Sequence, residues 1–419
     1  MASRTPSSRP PSRSVSSTSL STRRDTVHEL SGAEKEKAAL ITTACQARDL
    51  DTLAALATSP LGLVSDSVRR TAWPLLLGCR DAEEEKQAPW TELPRHGDED
   101  QVALDVNRAF VHYPKNETEK QLERRKEELS DVIIHVLRKH PALCYFQGYH
   151  DIVQVLLLVL GAQDAPAAAA RLSLLRIRDF MLSNMDPAMA QIELLRPVLA
   201  IADPALYAHL PKNMPATFAL AGTITLFSHN LKEYEDIARL FDFFLATDTV
   251  MPIYFFAAIV LSRREEVLDI DEEDEDVMCV ILGRLPDQFD IEFHIARAME
   301  LYERLPPQAM GSWEWWRISS SSVLKTSWTP ARLRRTTLEE GERLFQEHEK
   351  DIRRRKALAQ AADRARLLQR RLWLYRRHGA VGLAIAVGVY ALWLGRSNSR
   401  IASLGPIGVF FKRIMGGLL

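Results

Sequence analysis

The chain is poor in cysteine, with four among 419 residues. Cys45, Cys79, Cys144 and Cys279 lie far apart, form no CxxC pair and have no histidines at ligand spacing. This argues against a disulfide framework or a zinc site and suits reduced, mostly buried thiols facing the cytosol. Net charge is also nearly absent: Lys+Arg 54 against Asp+Glu 55 leaves −1. No global field is available to recruit nucleic acid, so any electrostatic function must be local. Alternating strand-like runs bounded by hairpin turns are missing, and no internal repeat stands out.

What is present is apolar residues, 46% of the chain, enough for one large core with flanking segments. From Glu34 to Leu305 apolar positions recur three and four apart, which predicts an all-α fold. Expected helices are Glu34–Ala57, Val68–Leu77, Gln101–Tyr113, Glu117–Arg138, Gln147–Leu160, Met214–Asn230, Glu233–Ala246, Met251–Val267 and Ile291–Arg304. Pro114, Pro141, Gly161, Pro204, Pro252 and Pro286 punctuate the joins.

The flanks differ in composition. Residues 1–30 are rich in Ser, Pro and Arg and cannot offset their ordering entropy, so a disordered tail is expected. A helical domain over 31–305 is followed by a Ser- and Trp-rich linker over 306–330 and a polar to basic helix over 331–377. The arginines between Arg353 and Arg377 would attract anionic lipid headgroups if a bilayer lay beside them. Gly379–Gly395 carries no charge and as a helix would span about 25 Å, enough for a thin bilayer. Trp373, Tyr375, Tyr390 and Trp393 sit where a headgroup belt would want them. A single transmembrane helix over 378–396 is therefore expected, with a short tail over 397–419. Without an N-terminal signal sequence, this is a tail-anchored arrangement with the domain in the cytosol.

Two short stretches could carry chemistry. In Val102–Arg108 (VALDVNR), Asp105 and Arg108 are i, i+3 neighbours, so a carboxylate could hold a guanidinium in a fixed pose. By spacing alone the pair reads as an ordinary helix-surface ion pair. In Leu143–Asp151 (LCYFQGYHD), Gln147 opens an apolar helix beside Gly148, and its amide could orient a water as both donor and acceptor. It could equally be a helix-start hydrogen bonder with the aromatics as core. The acidic run Asp269–Asp276 fails as a calcium loop, with Asp274 where glycine is needed and Val280 where a bidentate glutamate belongs; it reads as a solvated loop. Cys144 and His150 make a weak nucleophile–base pair, with no third orienting group specified.

These two stretches resemble the I-x-x-D-x-x-R and Y-x-Q motifs of TBC-domain GTPase-activating proteins for Rab GTPases. Ser67–Gly78 resembles the family's R-x-x-W segment at Arg70 and Trp73, and Leu240–Leu261 resembles its W-D-x-x-L region. The four fall in order across about residues 60–305, and with the C-terminal apolar segment the chain looks most like the endoplasmic-reticulum-anchored subfamily. Val102, Phe146, Gly222 and Phe241 depart from the usual residues without removing either motif's polar group.

The resemblance implies that Arg108 acts as an arginine finger on the transferring phosphoryl group and that Gln147 places the attacking water. Asp105 would hold Arg108, and Tyr145 would help to seat Gln147. The partner implied is a Rab GTPase in its GTP-bound form, with GTP and Mg2+ held by the partner and no cofactor of the chain's own. It also implies action in traffic between the endoplasmic reticulum and the Golgi, from the endoplasmic reticulum membrane. The chain would be an activator rather than an enzyme, and the competing expectation is a catalytically inactive, membrane-tethered Rab-binding adaptor.

Overall fold

The computed structural model describes residues 30–79, 89–115, 117–211, 214–286, 288–326 and 330–396. The expected tails at 1–30 and 397–419 lie outside them, apart from Leu30. Among the described residues every regular element is helical and there is no strand, so the chain is all-α. Two compact units divide between Phe345 and Gln346.

The first unit begins with α1 (Gly32–Ala47), whose start is fixed by a reciprocal box: Ser31 Oγ accepts from the Glu34 amide and the Glu34 carboxylate accepts from the Ser31 amide. The single helix expected over Glu34–Ala57 is broken at Arg48, which turns left-handed (φ 52°), and Asp49 then caps α2 (Leu50–Thr58) through the Thr52 amide. Helix α3 is Asp66–Leu77, α4 is Glu99–Val106 and α5 is Glu119–Lys139. The buried side of α5 is Leu129, Val132, Ile133, Val136 and Leu137, the three–four spacing of an amphipathic helix.

Helix α5 packs on α6 (Tyr149–Leu175), where every residue from Ile152 to Leu160 is buried. Helix α6 is long and apolar enough to cross a membrane by length and composition, but 67% of its apolar window is buried inside the domain. It runs past the expected end at Leu160 because Gly161 (φ 81°, ψ 169°) bends the chain and a second helical stretch follows. The helix expected over Met214–Asn230 is instead a short 3-10 turn (Ala216–Ala219), a short helix (Leu220–Ile224) and further turns. Ile291–Arg304 forms with the expected ends.

Residues 306–330, expected as a linker, contribute to the core of the first unit. Ile318, Ser322, Val323 and Leu324 are buried there. The cause is a long-range pairing: the buried Asp179 carboxylate accepts from the Val323 amide at 3.1 Å, from the Ser322 hydroxyl, and from Gln191 Nε2 at 2.5 Å. Leu333 and Phe345 are buried too, and Gly341 lies so close to Leu174 and Leu175 that a Cβ would meet the Leu175 Cδ2 at 2.9 Å. The compact unit thus extends about forty residues beyond Leu305.

The second unit is described over Gln346–Arg396 and is helical throughout those residues. Arg353, Arg354, Arg355, Arg364, Arg366, Arg370 and Arg371 are exposed on it, as is every residue of its apolar stretch Gly379–Ala391. That stretch alone is shorter than a full span.

Candidate functional site

Asp105, the last acidic residue of α4, is fully buried, yet its carboxylate is satisfied on both oxygens. Oδ1 accepts from Arg108 Nη2 at 2.6 Å and from Gln101 Nε2 at 3.1 Å; Oδ2 accepts from the Tyr145 hydroxyl at 3.0 Å. A buried carboxylate with three donors is the arrangement that makes burial of its charge tolerable. The Arg108 side chain remains 67% exposed, so one end of a solvent-facing guanidinium is anchored to a buried group.

The helix expected to carry both residues ends at Val106, and Arg108 stands in the turn that follows. The Arg108 amide bonds back to the Asp105 carbonyl at 3.0 Å, after which Phe110 takes φ 62° and its amide donates to Gln154 Oε1 at 3.1 Å. Gln154 is 3% exposed in the middle of α6, so it fixes the far side of the Arg108 turn to the central helix.

The second stretch converges on the same carboxylate. Tyr145 lies in a segment without regular secondary structure, and its amide donates to Asp98 Oδ2 at 2.8 Å, beside the start of α4. The Tyr145 hydroxyl is pushed well above its ordinary pKa by burial and by the Asp105 charge, so it stays protonated and can donate. Gln147 is exposed in the turn that precedes α6, not inside the helix. Gly148 follows with φ 102°, and a Cβ there would meet Thr225 Cγ2 at 2.7 Å, so only glycine gives this turn. The structure therefore brings Arg108, Asp105 and Tyr145 into one hydrogen-bonded group and presents Gln147 two residues beyond Tyr145.

Continuing outward, the Tyr145 hydroxyl lies 3.1 Å from His150 Nδ1, His150 Nε2 lies 3.3 Å from Asp151 Oδ1, and His229 Nδ1 lies 3.1 Å from Asp151 Oδ2. Burial lowers the His150 pKa despite the opposing charges of Asp151 and Asp105, whereas its hydrogen bond to Asp151 raises that of His229.

A second buried cluster forms around Asp242. Asp242 is fully buried and accepts from Arg69 Nε and Nη2 at 3.1 Å, from Trp73 Nε1 at 2.8 Å and from the Leu63 amide at 2.9 Å. Burial alone would lower the Arg69 pKa, but the Asp242 carboxylate more than reverses it. The arginine that serves the buried cluster is thus Arg69, while Arg70, singled out from sequence, is exposed and donates to the Val159 carbonyl at 3.1 Å. Phe241 packs its ring 5.7 Å from that of Trp73.

Sequence reasoning missed Gln154, Gln101, Asp151 and His229. Gln154 left one signal, a lone amide inside the apolar run Ile152–Leu160. The others gave none. The acidic run Asp269–Asp276 is exposed except for the half-buried Ile270, and among the described residues no cluster of three or more His, Cys, Asp or Glu is placed to hold a metal ion.

Comparisons with known proteins bear on the family. The family model described as the Rab-GTPase-TBC domain matches residues 66–268. TBC1 domain family member 20 from Bos taurus is 38% identical over 263 residues, 62% of this chain and 65% of that protein. The chain thus spans just under two thirds of that relative's length. GTPase-activating protein gyp10 from Schizosaccharomyces pombe is 30% identical over 287 residues, 67% of this chain and 76% of that protein. The crystal structure of the Ypt/Rab-GAP domain of Gyp1p aligns with TM-score 0.48 and 14% identity over 61% of this chain and 93% of that one. On the family match and the three quarters of the fission-yeast relative that it covers, the chain belongs to the Rab-GTPase-TBC domain family.

Proposed function

We propose that the chain stimulates GTP hydrolysis by a GTP-bound Rab GTPase, with Arg108 as the arginine finger and Gln147 as the group that orients water. The observation that carries this reading is the buried Asp105 carboxylate, which accepts from Arg108 on one oxygen and from Tyr145 on the other. It joins two stretches 40 residues apart into a single polar site from which both a cation and an amide reach solvent.

The roles follow from charge and hydrogen-bond capacity. As the γ-phosphoryl group transfers, negative charge spreads over its oxygens, and a guanidinium already held by Asp105 meets that charge with little reorganisation. Nη2 is engaged by Asp105, leaving the remaining guanidinium N–H groups for the phosphoryl oxygens. The Gln147 amide can accept a hydrogen bond from the attacking water while donating another to a phosphate oxygen. Mg2+ and the nucleotide belong to the GTPase, so the chain activates and contributes no bond-making group of its own. The relative gyp10 bears the name GTPase-activating protein, in keeping with this role. A panel of purified, GTP-loaded Rab GTPases tests the reading: at least one should hydrolyse faster with the protein, and acceleration of none would overturn it.

The same proposal places the activity at a membrane, as a single-pass, tail-anchored protein of the endoplasmic reticulum with the helical domain cytosolic, serving traffic toward the Golgi. Its support is the uniformly exposed apolar stretch Gly379–Ala391, with Val381, Leu383, Ile385 and Val389 all open to solvent. The exposed arginines over Arg353–Arg371 would lie against anionic headgroups. Deleting residues 379–419 should move the protein into the soluble fraction; a truncated protein that still pellets with membranes contradicts the anchor.

A further inference from the structure

The contacts around Tyr145 pose a proton-counting problem. Its hydroxyl carries one hydrogen, yet it lies within hydrogen-bond distance of the Asp105 carboxylate at 3.0 Å and of His150 Nδ1 at 3.1 Å. The other nitrogen of His150 faces Asp151 Oδ1 at 3.3 Å, and that oxygen can only accept. A neutral His150 carries one N–H. If it sits on Nε2 and serves Asp151, Nδ1 needs the Tyr145 hydrogen and Asp105 loses it. If it sits on Nδ1, the Nε2 lone pair is set against a carboxylate. Only the imidazolium satisfies all three contacts, donating from Nδ1 to the Tyr145 oxygen and from Nε2 to Asp151 while Tyr145 donates to Asp105.

We propose that His150 is a positioning residue for the arginine finger: its protonation decides whether the single Tyr145 hydrogen goes to Asp105, and so how firmly the carboxylate that holds Arg108 is fixed. The inference rests on the reading of Arg108 as that finger. His150 is 12% exposed, and its Nδ1 lies 3.1 Å from the Tyr145 hydroxyl and 3.9 Å from Asp105 Oδ2, so it acts on Arg108 through Tyr145 and Asp105. The charged and titratable groups that face it are Asp151, Asp105, His229 and Arg108, together with the Tyr145 hydroxyl. The two carboxylates favour the imidazolium; burial, His229 and Arg108 oppose it, and opposition prevails, so the imidazolium gains population only as pH falls below the ordinary histidine value of about 6.5. His229 shares Asp151 with His150 through the other carboxylate oxygen and gives the chain its solvent-facing end.

Two measurements on the full chain in detergent test this. The first is long-range proton–nitrogen NMR of protein labelled with nitrogen-15 at histidine, with the His150 signals identified from the His150→Gln variant. Tyr145→Phe should shift the Nδ1 resonance and move its titration midpoint. The second is the maximal stimulated rate with a purified Rab GTPase that the wild-type protein accelerates. From about pH 7.5 to about pH 5.5 the ratio of the wild-type rate to that of Tyr145→Phe should rise on the order of two- to tenfold, the worth of one hydrogen bond, with KM unchanged. His150→Gln, which cannot gain a proton, should lack this rise. An Nδ1 resonance indifferent to Tyr145→Phe, or a His150→Gln protein that keeps the wild-type pH profile, overturns the proposal alone. A responsive resonance with no GTPase accelerated at any pH overturns the arginine-finger reading and the positioning role with it.

Discussion

The backbone amide of Phe110 donates to Gln154 Oε1 at 3.1 Å, both groups buried, which ties the turn carrying Arg108 to the central helix. Replacing Gln154 with Leu leaves that amide without an acceptor. An unsatisfied buried donor costs about 1–3 kcal/mol. Gln154→Leu is therefore expected to lower unfolding free energy by about that amount in a urea titration, and to reduce stimulated hydrolysis through kcat as the Arg108 turn loosens.

Asp242 supports a different property. Its carboxylate takes two arginine nitrogens, an indole nitrogen and a backbone amide, all in the interior. Removing one partner from a buried pair leaves the other charge uncompensated, at about 3–5 kcal/mol. Asp242→Ala should show that loss in thermal or urea unfolding. Arg70→Ala, which removes one part-buried hydrogen bond to the Val159 carbonyl, should cost about 1 kcal/mol by the same measurement.

Domain length gives a third expectation. A chain ending at residue 305 loses the buried side chains of Ile318, Val323, Leu324, Leu333 and Phe345, each worth roughly 1.5–3 kcal/mol, and exposes the Asp179 carboxylate that Ser322 and Val323 satisfy. A fragment spanning residues 30–345 should unfold cooperatively and one spanning 30–305 should be far less stable or aggregate; comparing their circular-dichroism melts checks it.

These cases mark what was legible in the sequence. The all-α class, the ends of Ile291–Arg304 and the buried stripe of α5 follow from local periodicity, which records which side of a helix faces the core. Breaks depend on single backbone angles: Arg48 and Phe110 adopt positive φ without being glycine, so nothing in their identity announces the turn. The segment after Pro307 reads as polar because its serines are polar, and only a partner more than a hundred residues away, Asp179, brings Ser322 inside. At the site, the motifs named Arg108, Asp105, Tyr145 and Gln147, and the structure gathers the first three around one carboxylate. The supporting groups Gln154, Asp151 and His229 are recognisable only once α6 and the 225–229 segment lie beside the Arg108 turn. Arg69 and Arg70 show the limit of spacing, since adjacent arginines on α3 face the core and solvent respectively.

The most direct test of the account is the single-turnover rate of GTP hydrolysis by a responsive Rab GTPase with saturating wild-type or Arg108→Ala protein. An arginine finger contributes about 10³–10⁵ in rate, equivalent to about 4–7 kcal/mol. The account predicts that Arg108→Ala keeps its helical content but melts earlier, because the buried Asp105 carboxylate loses its counter-charge, while stimulated hydrolysis by the folded protein falls by about that factor. Stimulated hydrolysis by a folded Arg108→Ala protein at the wild-type rate would contradict it.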